Sequence, residues 1–379
     1  MSVLDFVDQQ KVLYSDLVES YDNFGNLYQR KLWHQLSEAL YEFLSNINNC
    51  RGESFHDLYS GFIQDFESKL NPISFVQLAS LIGPSLSDLQ ISTQFYVSLL
   101  DNRKRLGPEA SMVLDMEVVL LKLKLGENAE AKMMLEESKE KLSSISTTER
   151  VVFSKYFKAE TEYRKVVGPP QEFYKAALMY LVYTPLETLN KEEQYILATD
   201  VALAALTADG VFNFGEVISI PLLDALKDTP NAWMKELFFA MHKGSIQEFN
   251  AVVEAKKDAY FAQPALASRH DVVKQKLVML ALINLAFEIH PHERNIAFSV
   301  IAQGCSIPMD QVEWMLMRAM SLKLIEGVID EVAKTVNVTW VLPRVLDMDQ
   351  INLLGSQVDG WSTKVKDMLR NIEDQTPDL

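Results

Sequence analysis

The chain has 379 residues, of which 48% are hydrophobic and 23% charged, a balance typical of folded globular proteins and not of disordered ones. Asp and Glu outnumber Lys and Arg by 52 to 36, and the resulting net charge of −16 disfavours binding to nucleic acid or anionic lipid. The two cysteines, Cys50 and Cys305, lack the spacing of a disulfide framework or a zinc site, which indicates a reducing compartment such as cytoplasm or nucleus.

The amino end, MSVLDFVDQQ, carries acidic residues where a secretory or transit peptide needs basic ones, so we expect no targeting segment. The longest apolar run, residues 277–287, is about half of the ~20 residues that cross a bilayer, and Asn284 interrupts it. It is interpreted as a buried helix, and no membrane association is expected.

Residues 27–287 have helical periodicity almost throughout. The spacing predicts helices over residues 31–44 and 112–125, the second ending at Gly126. Helical hairpins are predicted from the segments 110–125, 129–142, 148–167 and 171–183. Because one pair cannot bury its apolar stripes alone, such hairpins stack into a solenoid. The tetratricopeptide signature is incomplete, so the array is interpreted as a degenerate, TPR-like repeat.

The pattern changes after residue 290. Residues 296–305 predict a short helix, 306–308 a turn, and 309–322 a second helix, which is helix-turn-helix spacing. Residues 324–329 and 336–341 are typical of β-strands flanking a wing. The fold class is therefore mainly α: a helical-repeat solenoid, then a winged-helix module with a small sheet, then a C-terminal helix.

The last predicted helix, residues 347–371, has the most regular apolar pattern in the chain. Seven residues alternate in spacing between three and four positions, as the a and d positions of a heptad do: Ile351, Leu354, Val358, Trp361, Val365, Met368 and Ile372. Burying all of them is worth on the order of 10–20 kcal/mol as an upper bound. We name these seven residues the seam and expect it to be docked, either on a partner or back on the chain's own repeats.

Tests for chemistry predict no catalytic, cofactor-binding or metal-binding residue. Gly210 and Gly215 have phosphate-loop spacing, but Glu216 stands where a lysine would be required. His290 and His292 do not belong to a zinc motif either, since Ile296 stands where an HExxH motif has its second histidine. We interpret the first segment as a helix connection with its phenylalanines in the core, and the second as a surface loop.

A winged helix also suggests DNA binding, because helix-turn-helix modules place their second helix in the major groove. Residues 295–346 contain four basic and five acidic side chains. Without an excess of cations, affinity for a duplex would be poor, so no nucleic-acid partner is expected.

Helical repeats followed by IAQGCSIPMDQVEWMLMRAMSLKLIEGVIDEV (residues 301–332) resemble the PCI domain shared by the proteasome lid, the COP9 signalosome and translation initiation factor 3. The stretches 28–36, 210–216, 329–332 and 339–347 narrow the resemblance to PCI subunits of the lid of the proteasome regulatory particle. The likeness runs from about Tyr28 to Met368, and residues 1–25 have no counterpart in it.

This resemblance implies a non-catalytic scaffold in a hetero-oligomer, with winged helices pairing side by side and C-terminal helices gathered in a bundle. It implies four segments: an extension (1–25), helical repeats (26–169), a PCI domain (170–346, with its winged helix from 290) and a bundle helix with tail (347–379). The expected function is lid assembly, in support of ATP-dependent degradation of ubiquitinated proteins. The alternatives are a PCI subunit of a related complex and a winged-helix nucleic-acid binder.

The two predicted strands of the winged helix provide the expected contact with neighbouring lid subunits, by strand addition. The predicted interface residues are Val328, Ile329, Val336, Val338 and Trp340. The open alternative is a wing packed only on its own helices.

Overall fold

The computed structural model describes residues 3–14, 17–46, 54–83, 89–101, 103–144, 149–227, 229–289, 295–343 and 348–375. The chain divides into two compact units, Met1–Thr188 and Leu189–Leu379. The division lies about twenty residues beyond the boundary expected at residue 169, because the helix that follows Pro169 packs on the helix before it.

The first unit is helical wherever it is described. Its helices are α1 (Val3–Leu13), α2 (Val18–Gln29), α3 (Trp33–Ser45), α4 (Ser54–Leu58), α5 (Gln64–Phe66), α6 (Pro72–Ile82), α7 (Leu89–Leu100), α8 (Arg103–Leu125), α9 (Asn128–Ser144), α10 (Arg150–Val167) and α11 (Pro170–Tyr183). A π-helical segment, Tyr59–Ile63, joins α4 to α5. At Gly107 the backbone of α8 leaves the helical region, with φ of 79°.

The helices of the predicted hairpins are confirmed as packed neighbours: α8 packs on α9 and α10, and α10 packs on α11. Gly126 ends α8 in the left-handed region, with φ of 85°, as a helix-terminating glycine does. At the start of α6, the Asn71 side chain accepts a hydrogen bond of 3.0 Å from the amide of Ile73, and Pro72 occupies the first turn.

Residues 1–25, predicted as an extension, are part of this unit. Val7, Tyr21 and Phe24 are each 2% exposed, in one core with the aromatic residues of α3 and the π-helical segment. A Cβ on Gly61 would lie 2.6 Å from the ring of Phe6, so α1 lies directly against the π-helical segment. The sequence did not reveal this packing because α1 is short and weakly apolar, and its core partners lie about fifty residues away.

The second unit begins with helices and ends with the winged helix. The elements are α12 (Lys191–Thr207), α13 (Gly215–Ser219), α14 (Trp233–Lys243), α15 (Ile246–Ala255), α16 (Lys257–Phe261), α17 (Pro264–Ser268), α18 (His270–Glu288), β1 (Asn295–Ala297), α19 (Phe298–Gly304), α20 (Met309–Ser321), β2 (Ile325–Asp330), β3 (Thr335–Val341) and α21 (Met348–Gln375). The apolar run at residues 277–287 is confirmed as part of a helix with a largely buried surface, α18.

Within the described residues the strands form one antiparallel sheet of order β1-β3-β2. The predicted helix at residues 296–305 is wrong at its start, because Asn295 to Ala297 pair with Asn337 to Thr335 as a third strand. Ile296, 3% exposed, contributes to the core that Phe298, Val312 and Leu316 form beneath the sheet. Three residues are too few to show the period of two that identifies a strand in sequence.

Candidate interaction surfaces

β2 is an edge strand of the sheet in the winged-helix module. β3 is the central strand, since its first three residues pair with β1 and the strand pairs along its length with β2. The backbone groups of β2 that point away from β3 are those to which a further strand can be added.

The five predicted interface residues divide into two groups. Val328 is 68% exposed and Trp340 37%, while Ile329 is half-buried. Val336 and Val338 are 0% and 2% exposed, because alternation along β3 turns them into the module's own core. Their side chains therefore do not reach the surface of the module. The contact of all five residues with neighbouring subunits stays a prediction.

Gly327 allows β2 and β3 to approach each other at a bulge. The register shifts between Glu326 and Gly327, and a Cβ on Gly327 would lie 2.2 Å from the carbonyl oxygen of Asn337. No side chain fits at that distance, so the shape of the edge strand depends on this glycine.

The seam lies on α21, and all seven of its side chains are between 43% and 67% exposed. Trp361 and Met368 are the most exposed, at 67% each. Isolated exposed apolar residues are ordinary, but a continuous stripe along about six turns of helix is typical of an interaction site. Whether the seam docks on a partner or on the chain's own repeats stays a prediction.

The seven seam residues follow a regular pattern of side-chain types. The a positions are β-branched, Ile351, Val358, Val365 and Ile372, and the d positions are the longer Leu354, Trp361 and Met368. A helix of this kind inserts its side chains between those of neighbouring helices. Nothing lies within 4 Å of where a Cβ would stand on Gly355 or Gly360, so these glycines leave open space beside the seam.

The segment around Gly210 and Gly215 is a helix connection, as predicted. Phe212 and Phe214 are 7% and 1% exposed. Their rings lie 5.7 Å and 5.1 Å from the ammonium nitrogen of Lys276, a residue of α18. The segment is thus held by core packing and a buried cation, with no free phosphate cradle.

Lys276 is itself 2% exposed. Its Nζ donates hydrogen bonds to the carbonyl oxygens of Ala205 at 2.6 Å, Leu206 at 3.3 Å and Ala208 at 2.8 Å, at the carboxyl end of α12. A cation there complements the helix dipole and the unpaired carbonyls of the last turn. Burial lowers the pKa of Lys276 to about 7. Sequence did not predict this contact because it joins residues about seventy positions apart.

The other candidates for chemistry give no site. His290, His292 and Glu293 lie outside the described residues. In the parts of the chain that are described, no group of three or more His, Cys, Asp and Glu side chains could hold a metal ion. Cys305 is a free, buried thiol whose pKa burial raises to about 12, the opposite of an activated nucleophile.

The helix that would enter a DNA groove, α20, is not cationic. Arg318 stacks over Trp314 at 5.3 Å, and Asp310 and Glu313 lie on the same helix. Weak affinity for a duplex stays a prediction from this charge balance. Among the described helices, none is long and apolar enough to cross a bilayer.

A cleft between α18 and α20 was not predicted. Val278 and Met279 line it from α18, and Trp314 and Met315 from α20. In sequence these residues resemble ordinary core positions; the exposure of Trp314, 52%, could be learned only from the structure.

Comparison with known proteins covers the whole chain. A family model described as PSD13 N-terminal repeats matches residues 20–238, and the PCI domain model matches residues 244–340. The chain is 32% identical to 26S proteasome non-ATPase regulatory subunit 13 of Dictyostelium discoideum, over 99% of this chain and 98% of that protein.

Two further relatives also match along most of their length. Homolog B of that subunit in Arabidopsis thaliana is 32% identical over 100% of this chain and 99% of its own length. The 26S proteasome regulatory subunit RPN9 of Saccharomyces cerevisiae is 27% identical over 93% of this chain and 92% of its own length.

With 99% of the chain aligned, most of residues 1–25 has a counterpart in the Dictyostelium protein, so the expectation that this segment has none is wrong. Two adjoining family models and relatives matched from end to end lead to one assignment. The chain belongs to the family of 26S proteasome non-ATPase regulatory subunit 13 and carries that family's helical repeats and a PCI domain.

Proposed function

We propose that this chain is a non-catalytic scaffold subunit of the proteasome regulatory-particle lid. In this role it joins other lid subunits through its winged helix and through α21, and so supports ATP-dependent degradation of ubiquitinated proteins in cytoplasm and nucleus. Its relatives are proteasome regulatory subunits by name. The observation that carries the proposal is the exposed seam of α21.

The seam supports assembly because its exposure costs free energy that docking recovers. Seven large apolar side chains remain 43–67% exposed in the isolated chain. An amphipathic helix without tertiary contacts is only marginally stable in water, and packing of its apolar face supplies most of its stability. Partner helices that bury the seam would therefore stabilise both the helix and the complex.

The second contact is the edge of β2. Main-chain hydrogen bonds to this edge would give affinity, and Val328 and Trp340 would contribute apolar contact beside them. Since Val336 and Val338 already fill the module's core, the sheet can accept a neighbour without repacking. We propose this edge as the side-by-side contact between winged helices.

The test introduces two substitutions at the centre of the seam in the tagged full chain. Trp361→Asp with Val365→Asp should reduce co-purification with lid subunits at least a hundredfold. Two buried apolar contacts of about 1.5–3 kcal/mol each are lost, a carboxylate enters the interface, and each 1.4 kcal/mol is tenfold in affinity. The measurement is quantitative mass spectrometry of the proteins recovered from cell extract.

The matched control is Thr363→Asp with Arg370→Asp, which places the same residue type on the opposite, exposed face of α21. These variants should incorporate like the unaltered chain. Normal incorporation of the seam variant would refute the role of the seam. Recovery of the unaltered chain with signalosome or initiation-factor subunits, and without proteasome subunits, would refute the assignment to the lid.

A further inference from the structure

The cleft between α18 and α20 is a pocket of about 190 Å³ with an apolar interior. Met279 and Met315 form its floor and are 3% and 4% exposed. Val278 and Ile307 are half-buried walls, and Trp314 is the exposed rim. The volume is enough for one large apolar side chain.

The methionines make this pocket adaptable. Unbranched thioether side chains adjust to differently shaped guests, which is why methionine is common at peptide-binding surfaces. Trp314 adds a large rigid surface that can be buried with little loss of side-chain entropy. A half-exposed tryptophan beside a pocket is the kind of residue that dominates binding energy at interfaces.

The polar rim of the cleft is cationic. Lys274, Gln275 and Gln311 line it, and Arg318 lies over the ring of Trp314. No carboxylate lines the pocket, although Asp271 of α18 and Asp310 and Glu313 of α20 lie on the same two helices. In the described part of the chain neither Lys274 nor Arg318 forms an ion pair. Two cations without an ion pair thus stand beside the apolar pocket, in a chain whose net charge is −16.

We propose that this cleft is a docking site for an acidic peptide segment of a partner protein, with one large apolar side chain inserted between α18 and α20. The inserted side chain contacts Met279, Met315 and Trp314. Carboxylates on either side of it pair with Lys274 and Arg318. The proposal is independent of the seam and of the sheet edge, and it does not require the chain to be part of a lid.

A protein segment fits this site better than nucleic acid does. The apolar interior takes a side chain, whereas the phosphates of a nucleic acid strand would demand more cations than two.

The experiment uses the full chain and a fluorescein-labelled peptide, Glu-Glu-Asp-Leu-Phe-Glu-Asp-Glu. Two further peptides separate the two contributions: one with Ser-Ser in place of Leu-Phe, and one with every acidic residue replaced by glutamine. We expect saturable binding of the first peptide by fluorescence anisotropy, and at least tenfold weaker binding of the other two. Methyl-labelled methionine should show shifted resonances for Met279 and Met315 and none for Met241.

Variants of the chain locate the site. Trp314→Ala and Lys274→Glu should each weaken binding at least tenfold. Because the Lys274 side chain is exposed, its substitution should not affect folding. The matched controls, Met317→Ala on another face of α20 and Lys257→Glu on α16, should bind like the unaltered chain. Circular dichroism melts check that each variant is folded.

The proposal is overturned by absence of binding at millimolar peptide. It is likewise overturned by binding that ignores both Trp314→Ala and Lys274→Glu, or by equal affinity for the glutamine peptide. A single-stranded oligonucleotide that binds more tightly than the peptide, and loses affinity in the same two variants, would assign the cleft to nucleic acid and overturn it as well.

Discussion

Replacing Gly327 by alanine is expected to destabilise the winged-helix module by about 3 kcal/mol, the upper part of the range for steric overpacking. The added Cβ would stand 2.2 Å from the carbonyl oxygen of Asn337, which is backbone and cannot rotate away. Relief requires β2 and β3 to separate at the bulge between Glu326 and Gly327.

Hydrogen exchange of the β2 and β3 amides, followed by mass spectrometry, measures this effect in the full chain. A loss of about 3 kcal/mol corresponds to exchange more than a hundredfold faster, because each 1.4 kcal/mol is a factor of ten. Gly355→Ala is the control, since its Cβ meets nothing within 4 Å; it should leave the sheet unchanged and slow exchange in α21. If amide exchange in β2 and β3 were as slow in Gly327→Ala as in the unaltered chain, the close approach of these two strands would be contradicted.

The second large effect concerns Lys276, whose pKa burial lowers to about 7 from its ordinary 10.5. Between these two pH values the unfolded chain binds more protons than the folded chain does. The free energy of unfolding of the second unit should therefore rise with pH, by up to about 1.4 kcal/mol per pH unit. Lys276→Met should remove this rise.

The same substitution should also leave the carbonyl oxygens of Ala205, Leu206 and Ala208 without their buried donor. An unsatisfied buried acceptor costs about 1–3 kcal/mol, so at pH 9 the variant should be less stable by at least 3 kcal/mol. At pH 6 the difference should shrink, because the unaltered chain then carries the cost of a buried charge.

Hydrogen exchange of amides in α12 and α18 is measured at pH 6 to 9 and corrected for intrinsic rates. It gives, at each pH, the difference in free energy of unfolding between Lys276→Met and the unaltered chain. Taking this difference cancels the titration of groups common to both. Lys274→Met, an exposed position on the same helix, is the control and should behave like the unaltered chain. A difference between Lys276→Met and the unaltered chain that falls as pH rises would contradict a lowered pKa at Lys276.

Sequence predicted the features that repeat locally. The a and d spacing of the seam and the hairpins that end at glycine need only residues a few positions apart, and both appear where expected. β2 and β3 were predicted because β-branched residues and a wing stand between helical segments. β1 was missed because Ile296 is a strand residue only by virtue of its pairing with Val336, forty positions away.

The remaining features depend on tertiary contacts that no local pattern encodes. Val336 and Val338 alternate as interface residues would, yet the helices beneath the sheet bury them. Lys276 has the sequence appearance of any surface lysine within an apolar helix. Met279 and Trp314 belong to different helices, and only their packing forms a pocket.

The exposure of α21 also has a consequence for chains that are produced in excess of their partner subunits. A chain without neighbours presents seven apolar side chains along one helix, a stripe that chaperones bind and that promotes aggregation. Under the proposed function, partner helices would cover this stripe on assembly. Surplus chains would then expose an apolar stripe that assembled chains lack, and quality-control factors that bind such stripes would remove them selectively.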